Sequence, residues 1–408
     1  MYEIKSTHLL RKLMKEYFTG LEHAGKIAWC TSVGPAELLR AFGFEVYFPE
    51  NHGALLGATR QAGDYIPTTI NLGYSGDICS YLTSDIGAYL CHRTPLQDHY
   101  GMKGIPKPDL IVYNTNQCRE VQDWFNFYAK EFQCPAIGIF PPRYVDELTD
   151  VQIHDVSEQF KAIIPHCEKA SGQKFDLDRF RDTLRLSKEA TELWKQVLAT
   201  AKYSPAPISF FDCSIHMGPI VVLRGTTAAK EYYQILLDEL MENAANKKGI
   251  VQGEHSRIFW DGMPVWGKLR SLSDLFIQNN SVVVASTYCN SWVFDAFNEQ
   301  DPFFSSAKAY TEIFINRSEN VKMKMLKNMA DEYRIDGMIF HDAKTCFNNS
   351  NSRFGLPLRM YKEYGIPVLV IEGDLCDLRF YSEGQTTTKI ETFVEQLGSR
   401  KMMHESYA

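Results

Sequence analysis

Three cysteines stand where a chain of alternating strands and helices gathers its chemistry. Cys118 follows the apolar run 109–113 by a few residues, Cys346 follows 336–340 in the same way, and Cys79 closes Gly73-Tyr74-Ser75-Gly76-Asp77-Ile78 just before a helical stretch at 80–90. Loops at the carboxyl ends of parallel strands face a common crevice, so thiols from separate loops could converge there. Helix amino termini favour thiolates, and three thiolates from distant loops suit an iron-sulfur cluster whose fourth iron stays open. Zinc fits less well, because structural zinc sites take ligands in close pairs and no CxxC occurs among the ten cysteines. Taken singly, a cysteine in such a protein is more often a small buried hydrophobe than a ligand. A repeat singles these out: the run 109–113, Cys118, a helical stretch and the run 134–140 recur as 336–340, Cys346, a helical stretch and 366–372.

The elements that must position these thiols read as parallel α/β architecture. Short apolar runs at 26–30, 44–48, 109–113 and 136–140 alternate with helical stretches, and Gly34-Pro35-Ala36-Glu37 opens one helix, with Pro35 expected at its first position and Glu37 in its first turn. Long amphipathic stretches at 177–201 and 228–246 then replace the strands, broken at Ser171-Gly172 and at Ser204-Pro205-Ala206-Pro207. Strands resume at 257–260, 281–286, 337–341 and 367–372. The expected organisation is an N-terminal helix (1–25), a first α/β domain (26–145), a helical segment (146–250) and a second α/β domain (251–408). Both lobes are expected to be Rossmann- or flavodoxin-like parallel sheets, with a cluster in the cleft between them.

Composition narrows the function. The 408 residues carry 43 Lys and Arg against 50 Asp and Glu, a net charge of -7 that leaves no basic footprint for nucleic acid. Residues 1–15 hold Glu3, Lys5, Arg11, Lys12 and Lys15 without an apolar signal core, and the apolar run 217–223 is interrupted by Gly218 and Pro219. A cytoplasmic protein with neither membrane nor nucleic-acid partner is expected, its cysteines reduced or ligating.

The chain resembles the 2-hydroxyacyl-CoA dehydratase and benzoyl-CoA reductase family over nearly its whole length. The resemblance lies in the order of Trp29-Cys30-Thr31-Ser32-Val33, Phe48-Pro49-Glu50-Asn51, the Gly73 to Tyr81 segment, Cys118 with Trp124-Phe125, Lys174-Phe175-Asp176, Leu223-Arg224-Gly225, Lys344-Thr345-Cys346, and Glu372-Gly373-Asp374 with Asp377 and Arg379. It implies a [4Fe-4S] cluster on Cys79, Cys118 and Cys346, with one iron open to water or to the thioester oxygen of an acyl-CoA. It also implies a homologous second subunit or a homodimer, and a separate ATP-hydrolysing iron-sulfur activator that injects one electron to form a ketyl radical anion. The absence of GxxxxGK[ST] agrees with the ATPase lying on another chain. Ser32 and Glu50 match positions beside the open iron: the serine would hydrogen-bond the iron-bound oxygen and the glutamate would assist departure of hydroxide or orient substrate.

Some positions depart from the dehydratase pattern. Lys344-Thr345-Cys346-Phe347 and Tyr113-Asn114-Thr115-Asn116-Gln117-Cys118 replace its Arg-Ser-Cys-Lys and Cys-Cys-Asn-Asn runs and lean toward the reductase subunits, whereas Pro49-Glu50-Asn51 looks like the dehydratases. A related branch carries an [8Fe-9S] double cubane and reduces small molecules without CoA; Cys30, Cys289 and Cys376, which also follow strands, could serve such a centre or simply pack. A noncatalytic electron-relay subunit is a further alternative. Cys91, Cys134, Cys167 and Cys213 are expected in the core, His216 and His341 as satisfied buried histidines, and Tyr232-Tyr233 and Phe303-Phe304 as core or interface.

Overall fold

In the computed structural model, which describes residues 3–407, eight strands form two parallel sheets. They are β1 (Ile27–Cys30), β2 (Glu45–Tyr47), β3 (Leu110–Asn114), β4 (Ala136–Ile139), β5 (Ser256–Asp261), β6 (Ser281–Ser286), β7 (Gly337–Ala343) and β8 (Val368–Gly373). The first sheet has the order β2-β1-β3-β4 and the second β6-β5-β7-β8, the same winding twice. Register follows from the apolar runs: Ala28 stands beside Leu110, Val112 beside Ile137, and Phe259 beside Met338. The central strands β1, β3 and β5 are buried along their whole length, as strands covered by helices on both faces must be, while the edge strands β4 and β8 are half-buried.

This winding decides where chemistry can gather. In each lobe the chain reverses its direction of strand addition between the two central strands, β1 and β3 or β5 and β7, and leaves a crevice at their carboxyl ends. Ser32 follows β1, Cys118 follows β3 and Cys346 follows β7.

Between the sheets the chain is helical, with Asp150–Ser171, Leu177–Ala199 and Thr227–Ala245 as the longest pieces. Their boundaries have local causes. Thr149 and Gln152 form a capping box, Gly172 ends the first helix at φ 74°, and the Asp176 carboxylate accepts from the N–H groups of Asp178 and Arg179 at the start of the second. Thr7–Glu22 packs over β2 and the short helices Pro95–Tyr100 and Gly218–Val222. One boundary differs from expectation: the helix after β1 is Ala36–Ala41, and Pro35 precedes it with ψ 58°, outside helical geometry.

The lobes approach closely at helix Pro49–Ala58, which carries Glu50. A Cβ at Gly53 would lie 2.8 Å from the Tyr81 Cβ, and one at Gly57 would lie 2.6 Å from the Cys376 sulfur and 3.0 Å from the Trp266 Cβ. Glycine is required on this face because only it admits helix Ser80–Leu90 on one side and the second lobe on the other.

Candidate functional site

Cys79 is the residue before helix Ser80–Leu90, Cys118 lies in the turn before helix Glu120–Glu131, and Cys346 precedes a short 3-10 turn after β7. Hydrogen bonds lock their loops together across the lobes. The Ser80 N–H donates to Thr345 Oγ1 at 3.0 Å, and the N–H and hydroxyl of Thr345 donate to Asp374 at 2.8 and 2.7 Å. Arg143 donates to the carbonyls of Thr115 and Gln117 at 3.0 and 3.1 Å and to Asn348 at 3.2 Å, which ties the Cys118 loop to the Cys346 loop.

The three thiols lie within electrostatic reach of one another: Cys79 feels Cys346, Cys118 feels Cys79, and Cys346 feels Cys118. Burial is the largest influence on each and pushes all three up, overriding the preference for thiolate expected at helix amino termini. The strongest neighbouring charges, Glu120, Glu50 and Asp374, are acidic and push the same way. Backbone N–H groups of Tyr81 and Leu82 aim at the Cys79 sulfur, that of Val121 at Cys118 and that of Asn349 at Cys346. Such a set becomes anionic only around a positive inorganic core. Among the described residues no three His, Cys, Asp or Glu side chains converge tightly enough for a single ion. A four-iron core would spread its sulfur ligands more widely than a mononuclear ion, and thiols with backbone N–H groups aimed at their sulfurs are the donor type such a core takes.

Glu50 is the other unusual group. Its carboxylate receives the backbone N–H and the hydroxyl of Ser32, and Gln117 Nε2 at 3.2 Å. Burial outweighs these donors and raises its pKa from 4.5 to about 7. Ser32 and Glu50 line a cavity of about 330 Å³ between the lobes, with Gln117 and Asn349 from the cysteine loops beside them.

Residues that the sequence did not single out complete this end. The Trp266 indole N–H, which can only donate, bonds the Tyr81 hydroxyl, and the Tyr81 hydroxyl interacts with that of Tyr288. All three rings line the cavity, and Tyr288 feels both Glu50 and Cys346. Tyr288 stands one position before Cys289 in a loop already marked by its place after a strand; its orientation was the missing signal.

The remaining expected residues separate into groups. Cys30 is buried at the end of β1, Cys376 donates to the Gly53 carbonyl at 3.2 Å and feels Cys79, and Cys289 contacts Cys213. Cys167 and Cys213 are buried as expected, but Cys91 is exposed at the end of its helix and Cys134 is only half-buried. His216 bonds the Tyr232 hydroxyl and lies 3.4 Å from Thr7 Oγ1. His341 bonds the Met263 carbonyl at 2.6 Å through Nδ1 while its buried Nε2 has no partner, so it is satisfied only on one side. Tyr232 and Tyr233 are buried in the core. Leu223-Arg224-Gly225 is structural: Arg224 bonds Glu37 and the Gly34 carbonyl, both at 3.2 Å, and so braces the loop that carries Ser32.

A polar hub holds the helices of the site. Asp85 accepts from Trp124 at 2.7 Å and Tyr128 at 2.6 Å and bonds His52 at 2.5 Å. It thereby joins the helix bearing Glu50, the helix that Cys79 begins and the helix that follows Cys118.

A repeated parallel winding, with cysteines at its crevices and a carboxyl group facing the interlobe cavity, defines a two-lobed α/β enzyme component. Residues 31–397 match the family described as 2-hydroxyglutaryl-CoA dehydratase, D-component, and the chain belongs to that family. It is 29% identical to the (R)-phenyllactyl-CoA dehydratase alpha subunit of Clostridium sporogenes, over 98% of this chain and 97% of that protein. Identity is 28% to the (R)-2-hydroxyisocaproyl-CoA dehydratase alpha subunit of Clostridioides difficile, over 97% of this chain and 96% of the relative. It is also 28% to one of the benzoyl-CoA reductase subunits of Thauera aromatica, over 94% and 91%. Among the described residues no helix is long and apolar enough to cross a membrane.

Proposed function

We propose that this chain is the iron-sulfur subunit of a radical 2-hydroxyacyl-CoA dehydratase. Cys79, Cys118 and Cys346 would hold a [4Fe-4S] cluster, which when bound would supply one electron to the substrate thioester and a Lewis-acidic iron. A homologous second subunit and a separate ATP-hydrolysing iron-sulfur activator would complete the system. The names of the relatives support this reading, since each denotes one subunit of a larger dehydratase or reductase.

The observation that favours dehydration over the reductase reaction is the Glu50 carboxyl: set in the cavity wall, hydrogen-bonded by the neutral donors of Ser32 and Gln117, and with its pKa raised to about 7. Loss of a 2-hydroxyl needs a proton at the departing oxygen. Glu50 in its acid form donates that proton, the hydroxyl leaves as water, and the resulting carboxylate is a base for the 3-proton. Over the cycle one water is lost, and the electron supplied at the start is returned. The Tyr288 hydroxyl donates to a substrate oxygen, while Ser32 and Gln117 hold the Glu50 carboxyl in place. The pairing of Cys289 with Cys213 supports a single cubane over the double one, because it engages one of the thiols a larger centre would draw on.

The test is anaerobic conversion of (R)-2-hydroxy-4-methylpentanoyl-CoA to its 2-enoyl-CoA ester by the protein with its partner subunit and activator. Conversion should require ATP and a low-potential reductant. Conversion without either, or reduction of an aromatic thioester with no dehydration, would overturn the reading.

A further inference from the structure

The walls of the cavity that ends on Ser32 and Glu50 carry information about the acyl group itself. We propose that the chain is built for acyl-CoA thioesters with an uncharged, apolar side chain of branched-alkyl or aryl-alkyl size, and that it discriminates against acyl groups bearing a second carboxylate. This rests on the acyl-CoA reading above and adds the substrate class to it.

The cavity lining sets a few polar groups within a larger apolar surface. Glu50, Ser32, Gln117, Tyr81, Tyr288 and Asn349 gather on the strand-end loops and the helices that follow them. Leu10 and Met14 of helix Thr7–Glu22, Leu55 of helix Pro49–Ala58, Val221 and Ile313 supply apolar wall. A reacting C1–C2 unit placed at Glu50 sends its side chain against this apolar surface. Each methylene buried there is worth about fourfold in affinity, so a small two- or three-carbon acyl group leaves most of the available gain unused.

A distal carboxylate would find no partner inside. Among the described residues, the charged ones lining the cavity are Arg11 and Glu50. Glu50 offers an anion no positive charge. Arg11 is exposed on its helix, where pairing with a carboxylate in water adds little. The buried guanidinium of Arg224 is engaged elsewhere, with Glu37 and the carbonyls of Gly34, Ile220 and Val221, and Arg40 donates to the Val222 carbonyl at 2.7 Å. An anion taken from water into this wall therefore meets an uncompensated desolvation penalty.

The experiment is anaerobic calorimetric titration of the protein as isolated, unreduced so that nothing turns over, with 4-methylpentanoyl-CoA, 3-phenylpropanoyl-CoA, propanoyl-CoA, glutaryl-CoA and free CoA. The first two should bind roughly 100-fold more tightly than glutaryl-CoA and, at about fourfold for each of at least three extra carbons, roughly 60-fold more tightly than propanoyl-CoA. Glutaryl-CoA binding as well as 4-methylpentanoyl-CoA would overturn the substrate class and leave the acyl-CoA reading standing. No ester binding better than free CoA would overturn both. Met14→Lys places a cation in the wall and should improve glutaryl-CoA binding by about tenfold or more while weakening 4-methylpentanoyl-CoA; Leu55→Lys makes the same test where Met14→Lys does not fold. An unchanged preference in a folded variant would contradict the assignment of this wall to the acyl side chain.

Discussion

Glu37 and Glu50 enter the protein in the same way. Each sits in the first turn of a helix that follows a strand of the first sheet, close behind a proline, and each is drawn away from water. Their surroundings then diverge. Glu37 receives Arg224 at 3.2 Å, Ser187 at 2.6 Å and Tyr310 at 2.5 Å, and Arg224 is itself surrounded by Phe48, Trp292, Phe294 and Tyr310. Glu50 receives only Ser32 and Gln117 and faces a cavity. A buried carboxylate matched by a guanidinium is a brace. A carboxyl held by neutral donors beside an open space keeps its proton near neutral pH and is available for chemistry.

The largest expected effect that tests this contrast is on turnover. Glu50→Gln should keep the fold and iron content but lower kcat by ~10²- to 10⁴-fold; a variant with unchanged kcat would remove Glu50 from the reaction. The pH profile sharpens the point. With the folded pKa raised from 4.5 to about 7 and the acid form active, kcat/KM should fall as pH rises through about 7, and Glu50→Gln should lose that limb.

Next in size is the brace. Glu37→Ala leaves the Arg224 charge buried without its carboxylate and should cost about 3–5 kcal/mol in stability, read from denaturant unfolding. An undiminished stability would show that Glu37 and Arg224 do not depend on one another. Asp85→Ala should cost less, about 1–3 kcal/mol, by stranding the donors of Trp124 and Tyr128, and should loosen cluster retention without touching the cavity. Thermal melting alongside iron release to a chelator measures both. The smallest effect is Tyr288→Phe, expected to reduce kcat by about tenfold, the scale of one hydrogen bond, with iron content unchanged. A loss of iron in Tyr288→Phe would assign Tyr288 to the cluster instead of the substrate.

Much of this architecture was legible in the sequence because parallel strands buried on both faces are continuous apolar runs: all eight lie within a residue or two of the runs read from composition. The repeat of Cys118 and Cys346 was legible for a related reason, since both lobes wind in the same order and place the same loop at the same crevice. The distinction between Glu37 and Glu50 was not. It depends on Arg224 and Tyr310, which reach Glu37 from distant stretches of chain, and no local pattern encodes that meeting. Cys91 was misplaced in the core because a small apolar residue at a helix end reads like an interior one, while Cys134, before an edge strand, packs against the core only half-buried. The roles of Tyr288 and Trp266 escaped notice because aromatic residues read as core, while their meeting with Tyr81 exists only in three dimensions.

Counting iron and acid-labile sulfide in anaerobically purified wild-type protein, Cys118→Ala and Cys167→Ala tests the central claim most directly. About four irons and four sulfides per chain are expected in the wild type and in Cys167→Ala, with loss in Cys118→Ala. Equal iron in all three, or full activity from iron-free protein, would contradict it.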